Sequence, residues 1–285
     1  FVDYWKPDIA IFIESEIWPY MFKNLSIKRI PLILLNARLT KKTFNRWMKI
    51  ESFTKEVFQK ISIAYPQNLE TLSFLKKINP YKINLIGNLK FAENYDEKMN
   101  KINHKLKSQL KRKKIWVASS THNNEEIFCG EAHILLKRKI NNLLTIIIPR
   151  HIHRAKKIIE DLKRLDLNVV NHSSKPKNLN NVDIYIVDTF GETKQFYKIG
   201  SSVFLGGSII QRGGQNPLEA ARLGAKILHG PNVDNFKDVY KLLKSFRISK
   251  KVYTPKQLSS SIVFKKSKKQ SFKIKNIGDK ILKKT

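Results

Sequence analysis

Short, nearly unbroken apolar runs recur along this chain, with helical stretches between them. A first series comprises residues 9–13, 31–35, 61–64 and 83–86. Runs of this kind fit strands buried on both faces. The intervening helices supply the crossovers that parallel neighbours need, so an α/β fold with doubly wound sheets is expected. A polar, lysine-rich interval from about Glu93 to Lys114 interrupts the series and reads as an interdomain connection. The series then restarts at residues 115–118, 143–148, 184–187, 203–205 and 225–228, with helical spacing in segments such as 155–165. The division expected is therefore residues 1–95 as one domain, 96–113 as a linker and 114–285 as another. The second reads as complete, the first as the back part of a domain without its opening strands. The lysine-rich tail after Phe246 has weak periodicity and reads as only a terminal helix or a loose end.

Composition narrows the class. Apolar residues make up 41% of the chain, enough for a large core and too many for a disordered one. The lone Cys129 rules out an internal disulfide and a cysteine-built metal site, and fits a reducing compartment. No apolar run approaches a membrane span and no signal peptide is visible. The net charge of +32 has two readings. An anionic partner such as nucleic acid or a lipid surface would favour it. Compositional drift toward Lys, Ile and Asn would produce it without any partner, and the lysines are spread along the whole chain rather than gathered in a block.

The stretch Gly206–Glu219 carries the most chemistry. Four glycines follow the apolar strand 203–205 and lead into a helix start near Asn216. Glycine lets backbone N–H groups, here those of Gly207 and Ser208, approach an anion, and a helix N-terminus adds partial positive charge. Glu219, one turn in, is placed to accept from two vicinal sugar hydroxyls. A purely structural account fits the same residues: Asn216 as N-cap, Pro217 at N1, Glu219 closing a capping box and Gly224 as the C′ residue. The two accounts are compatible, because a capped helix start is also where phosphates bind.

Other strand ends carry weaker signals. Pro149-Arg150-His151 puts a guanidinium fork after a strand, where it could meet a phosphate or simply be solvated. Asp188–Glu192 ends a strand and opens a helix, either as a base- or ribose-recognising turn or with Asp188 or Thr189 as N-cap. Glu14 and Glu16 are close enough for acid–base chemistry, or simply start a helix. Lys90 ends another strand and could bind a substrate anion. Ser119–His122 with Glu125 and Glu126 is most economically a capped turn. No Walker loop, metal-spaced histidine cluster or Ser-His-Asp order is present, and no metal or cofactor is expected.

Taken in order, the segments ESEIWP, IPLILLNARLT, GNLKF, ASSTH, IIIPRH, VDTFGE, FLGGS, RGGQNPLEAARLGA and GPNVDNF resemble the 3-deoxy-D-manno-octulosonic acid (Kdo) transferases. The resemblance runs over most of the chain. It implies a GT-B glycosyltransferase fold of two Rossmann-like domains, the first incomplete here. It also implies inverting transfer of Kdo from CMP-Kdo to a lipid A precursor, in building the lipopolysaccharide inner core at the cytoplasmic face of the bacterial inner membrane. A membrane surface, and not nucleic acid, is then the anionic partner implied. By the same resemblance Pro149 and Arg150, the turn Phe190-Gly191-Glu192, and Asn216, Pro217, Leu218 and Glu219 match CMP-binding segments. Glu16 and Lys90 match residues that stabilise the transition state.

The departures are Ile152 and His153, where the family usually has Pro and Glu, and Gln215, where a His is usual. The family's opening anchor-like segment and its glycine-adjacent general base have no counterpart among these residues. The expectation that follows is that residues 1–285 bind CMP weakly but do not transfer Kdo. Two other readings stand beside this one. Another GT-B transferase would use a different nucleotide sugar. A nucleic-acid-binding protein is suggested by charge alone, without any recognised reading module.

Overall fold

A computed structural model describes residues 1–78, 82–92 and 102–283. The chain divides into two compact units, Phe1–Asn94 with Asn276–Thr285, and Tyr95–Lys275. The first expected run forms β1 (Ala10–Ile13), and the next two form β2 (Leu32–Ala37) and β3 (Ile63–Pro66). They make a parallel sheet in the order β1-β2-β3, in the register Ala10↔Leu32 and Leu34↔Ala64. Helices Pro19–Ile27 and Glu51–Phe58 bury Phe22, Leu25, Val57 and Phe58 against Leu32, Leu34 and Ala64. The edge strand β1 buries only part of itself, and Ile11 and Ile13 are each 54% exposed.

The fourth expected strand does not form. Residues 83–86 make one parallel bridge, Ile83 to Ala64, and then leave the sheet. Lys82 is left-handed at φ 29°, Asn84 and Leu85 are exposed, and Ile86 enters the core from a loop. The apolar run misleads there because a buried loop residue such as Ile86 carries the same hydropathy as a strand residue.

That loop continues through Gly87 into a short 3₁₀ turn, Leu89–Ala92, which carries Lys90. The last turns of the helix Lys268–Leu282 lie directly on it: Ile281 packs over Gly87, and Gly278 faces the Phe91 carbonyl with no room for a Cβ. A Gly278→Ala change sets two effects against each other. Alanine favours a helix by about 1 kcal/mol over glycine. Forced contact in a packed site costs about 1–3 kcal/mol, and here the obstacle is backbone that cannot rotate away. A net loss of stability is expected, with faster amide exchange at 89–92. A stabilised variant would show the contact to be soft.

The second unit is a seven-stranded, all-parallel sheet. Its strands are β4 (Lys114–Thr121), β5 (Leu143–Pro149), β6 (Val169–Asn171), β7 (Ile184–Ile186), β8 (Ser202–Leu205), β9 (Lys226–His229) and β10 (Ser249–Lys251), in the order β10-β9-β8-β4-β5-β7-β6. Every residue of β5, β7 and β8 is buried, and Trp116, Ile147, Phe204 and Leu228 lie in the core. The chain winds outward from β4 to one edge and then returns to place β8 on the other side of β4. The crevice beyond the carboxyl ends of β4 and β8 is thus the topological switch point, where ligands bind in open α/β sheets.

The tail is more ordered than its weak periodicity suggests. It supplies β10, the helix Pro255–Ser261 capped by Thr254, whose hydroxyl accepts from the Gln257 N–H, and the helix Lys268–Leu282. Ile274 and Leu258 from these helices are fully buried. Among the described residues, no helix is long and apolar enough to cross a membrane.

Candidate functional site

At the switch point, β8 runs into Gly206-Gly207-Ser208, with Gly207 left-handed at φ 64°. The backbone donors of this turn face Glu125, the first residue of the helix Glu125–Lys137 and fully buried. Gly207 N–H donates to Oε2 at 2.7 Å, while Ser208 and Ile209 N–H donate to Oε1 at 3.0 and 2.9 Å. The N–H of His122 adds a fourth bond, to Oε2 at 3.0 Å. The donors of Gly207 and Ser208 that the sequence suggested for a ligand are therefore engaged by the protein's own carboxylate. Capping accounts for only the His122 bond. Gly206 is required by the same packing, since a Cβ there would lie 2.7 Å from Glu125 Oε2 and 2.5 Å from the Ser120 carbonyl oxygen.

Glu126 turns the other way. Arg154, in the loop after β5, donates to both its oxygens at 2.9 and 3.1 Å. The β5 loop is also tied to β4 by the Arg150 N–H, which donates to the Thr121 carbonyl. Pro149 is buried and the Arg150 side chain is exposed. Between these loops lies His122, stacked edge-on to His151 at 5.9 Å, with its ring 3.4 Å from where a Gly207 Cβ would be. Burial lowers the His122 pKa. Glu125 opposes that shift, while His151, Arg212 and Arg154 add to it. A neutral imidazole among cationic groups is thus the state near neutral pH, in a setting that favours an anion.

A second group gathers around the helix Thr193–Ile199. Glu219 ion-pairs with Lys194 at 2.9 Å. Glu192 sits at the N-cap of the same helix, accepts from the Thr189 hydroxyl and lies 3.2 Å from His172 Nε2. Residues 190–192 and Glu219 are thereby brought to one short helix. The Phe190 ring is 80% exposed, and Gly191, at φ 82°, has open space where a side chain would be.

Capping differs in detail from the sequence reading. The helix runs Leu218–Arg222 with Pro217 as its N-cap residue, and Asn216 Oδ1 accepts from the Leu218 N–H instead of occupying the cap itself. Gly224, at φ 77°, does end the helix. Asp188 does not cap the helix Thr193–Ile199, and its carboxylate instead accepts from the Ser173 N–H in the 3₁₀ turn His172–Ser174. Its burial opposes ionisation, but hydrogen bonds from Ser173 and Asn171 outweigh that and hold its pKa below the ordinary carboxylate value.

In the first unit, Lys90 Nζ meets Glu14 Oε1 at 2.6 Å, and Glu16 accepts instead from the Trp18 indole at 2.9 Å. The Lys90 turn is held by side-chain amides: Asn36 Oδ1 accepts from the Leu89 N–H and Asn88 Oδ1 from the Lys90 N–H. Sequence reasoning missed Glu125 as a tie between loops, the Glu126–Arg154 pair and Lys194. Two adjacent glutamates that become buried at a helix start were the available signal, read there as capping.

Comparison with known proteins identifies the family. The family model described as 3-deoxy-D-manno-octulosonic-acid transferase (kdotransferase) matches residues 1–93. A 3-deoxy-D-manno-octulosonic acid transferase of Rickettsia bellii is 32% identical over 99% of this chain and 67% of its own length. The Haemophilus influenzae protein of that name is 30% identical over 85% of this chain and 58% of its own. The chain thus spans about 60% of the length of such relatives. Among solved structures, the C-terminal CMP-Kdo binding domain of WaaA from Acinetobacter baumannii matches with a TM-score of 0.53 at 22% identity, over 62% of this chain and 94% of that one. A UDP-N-acetylglucosamine 2-epimerase matches with a TM-score of 0.55 at 12% identity, over 91% of this chain and 63% of that one. The fold is α/β of the GT-B type, and the sequence that fills it makes this chain a member of the 3-deoxy-D-manno-octulosonic acid (Kdo) transferase family.

Proposed function

We propose that the second unit binds the CMP part of CMP-Kdo, and that the protein to which the chain belongs transfers Kdo to a lipid A precursor such as lipid IVA. The observation that carries this is the meeting of residues 190–192 and Glu219 on one helix beyond the strand ends. The name of the Acinetobacter domain, a CMP-Kdo binding domain, supports the choice of nucleotide. Glu219, held by Lys194, accepts from the ribose hydroxyls. Arg150 and the cationic setting of His122 take the phosphate as charge develops on it when CMP leaves. Glu16 and Lys90 act at the sugar end. The acceptor hydroxyl attacks the anomeric carbon of Kdo with inversion, at the cytoplasmic face of the inner membrane.

Calorimetry with CMP, UDP and a short oligonucleotide tests the reading. CMP is expected to bind and the other two to bind far more weakly. Preference for UDP would assign a different nucleotide sugar, and preference for the oligonucleotide a nucleic-acid partner. Glu219→Ala is expected to cost on the order of 1.5–3 kcal/mol of CMP affinity, the range for hydrogen bonds to a charged group. Melting is measured alongside, because the Lys194 pair is lost as well. A Glu219→Ala variant that binds CMP like the parent would remove the ribose role.

A further inference from the structure

We propose that Glu125 is a positioning residue that serves as an internal anion: its carboxylate fills the nest of N–H groups at residues 207–209 and so sets the conformation of the whole segment Gly206–Asn216. Glycine turns at the end of a parallel strand commonly offer such donors to a bound phosphate. Here the carboxylate is fully buried and its two oxygens take four N–H bonds between 2.7 and 3.0 Å. The donors come from both sides of the switch point, His122 after β4 and Gly207, Ser208 and Ile209 after β8, so one side chain fixes the spacing of two loops. Bonds further along propagate that order. The Gly214 N–H donates to the Gly207 carbonyl, the Asn232 N–H to the Ser208 carbonyl, and the Ser208 hydroxyl accepts from the Gly230 N–H. The segment so held ends at Asn216, next to the helix that bears Glu219.

One consequence is that a ligand phosphate at this crevice is not bound by these three amides. Another is chemical. Truncating Glu125 to alanine leaves four donors, those of Gly207 and Ser208 buried, around a space the size of the deleted carboxylate, and unpaired buried donors are costly. A small carboxylate from solution fits where the side chain was.

The test uses the chain of residues 1–285 and three readouts: melting, amide exchange at 207–209, and CMP affinity at a temperature where circular dichroism shows each variant folded. Glu125→Ala is expected to melt earlier, to exchange those amides faster, and to bind CMP at least ~10-fold more weakly, a factor that corresponds to about 1.4 kcal/mol. Sodium formate is expected to restore all three, and sodium chloride at equal ionic strength none. Glu125→Gln keeps the shape but turns an NH₂ toward donors, so it is expected to weaken binding without formate rescue, since its site is already filled.

A folded Glu125→Ala with parental exchange and affinity, or losses that formate leaves unchanged, would overturn the proposal. If the alanine variant does not fold, parental exchange and affinity in Glu125→Gln overturn it equally. The CMP arm alone rests on the nucleotide reading. If the parent chain fails to bind CMP, that reading fails, while exchange and formate rescue still decide the role of Glu125.

Discussion

Arg154→Ala is expected to destabilise the second unit by about 3 kcal/mol. The argument rests on which side of the ion pair is buried. The Glu126 side chain is 4% exposed and Arg154 19%. Removing one partner of a buried pair leaves the other charge uncompensated, at a typical cost of about 3–5 kcal/mol. The low end applies because water can follow the path of the arginine. Glu126 would retain nothing comparable to the two guanidinium bonds at 2.9 and 3.1 Å. The measurement is a double-mutant cycle by denaturant unfolding with Arg154→Ala, Glu126→Ala and both. A coupling of about 2 kcal/mol or more is expected, and the double variant should be little worse than Arg154→Ala. Coupling below about 0.5 kcal/mol would place the pair with ordinary surface bridges.

Stability of the same unit is expected to fall by about 3 kcal/mol as pH drops from neutrality to about 4, through His229. This residue at the end of β9 is 5% exposed, packs against the Tyr240 ring at 4.3 Å and donates from Nδ1 to the Gly230 carbonyl at 2.7 Å. Burial pushes its pKa from 6.5 down to about 4; the Gly230 bond opposes this, and Lys251 and Lys244 add to the depression. Between those two values the unfolded chain binds a proton that the folded chain does not. Stability is therefore complete above about 6.5 and declines as pH falls through the window, by about 1.4 kcal/mol per pH unit. Acid titration of ordinary carboxylates falls lower, so the window from 6.5 to 4.5 belongs to histidines of lowered pKa, His229 foremost and His122 in the same direction. His229→Gln is expected to flatten the profile there. A variant with the parental slope would assign the dependence elsewhere.

In the second unit the legible strands were those where burial is two-sided. β4, β5, β7, β8 and β9 are interior strands of a sheet covered on both faces, so their apolar runs are nearly continuous. β6 and β10 are edges with one neighbour each, and a strand reading Ser249-Lys250-Lys251, with both lysines exposed, carries no apolar signal. The site shows a parallel contrast. Residues 190–192 and 216–219 stood out because glycine, proline and a carboxylate at a strand end have local meaning. Glu125 did not, because three of the four amides it binds lie 82–84 residues further along the chain and only the fold brings them to it. Lys194 was equally silent, one lysine among many.

The return of residues 276–285 to the first unit has a consequence for how the protein is made. A ribosome delivers the turn that bears Lys90 long before it delivers Gly278 and Ile281, the residues that sit on that turn. At about 5–20 residues per second, the wait between Phe91 and Gly278 is on the order of 10–40 s. During that time the second unit can emerge and close around its own sheet, while the Lys90 turn waits for the helix that packs on it. The Lys90 turn is thus made well before the residues that hold it.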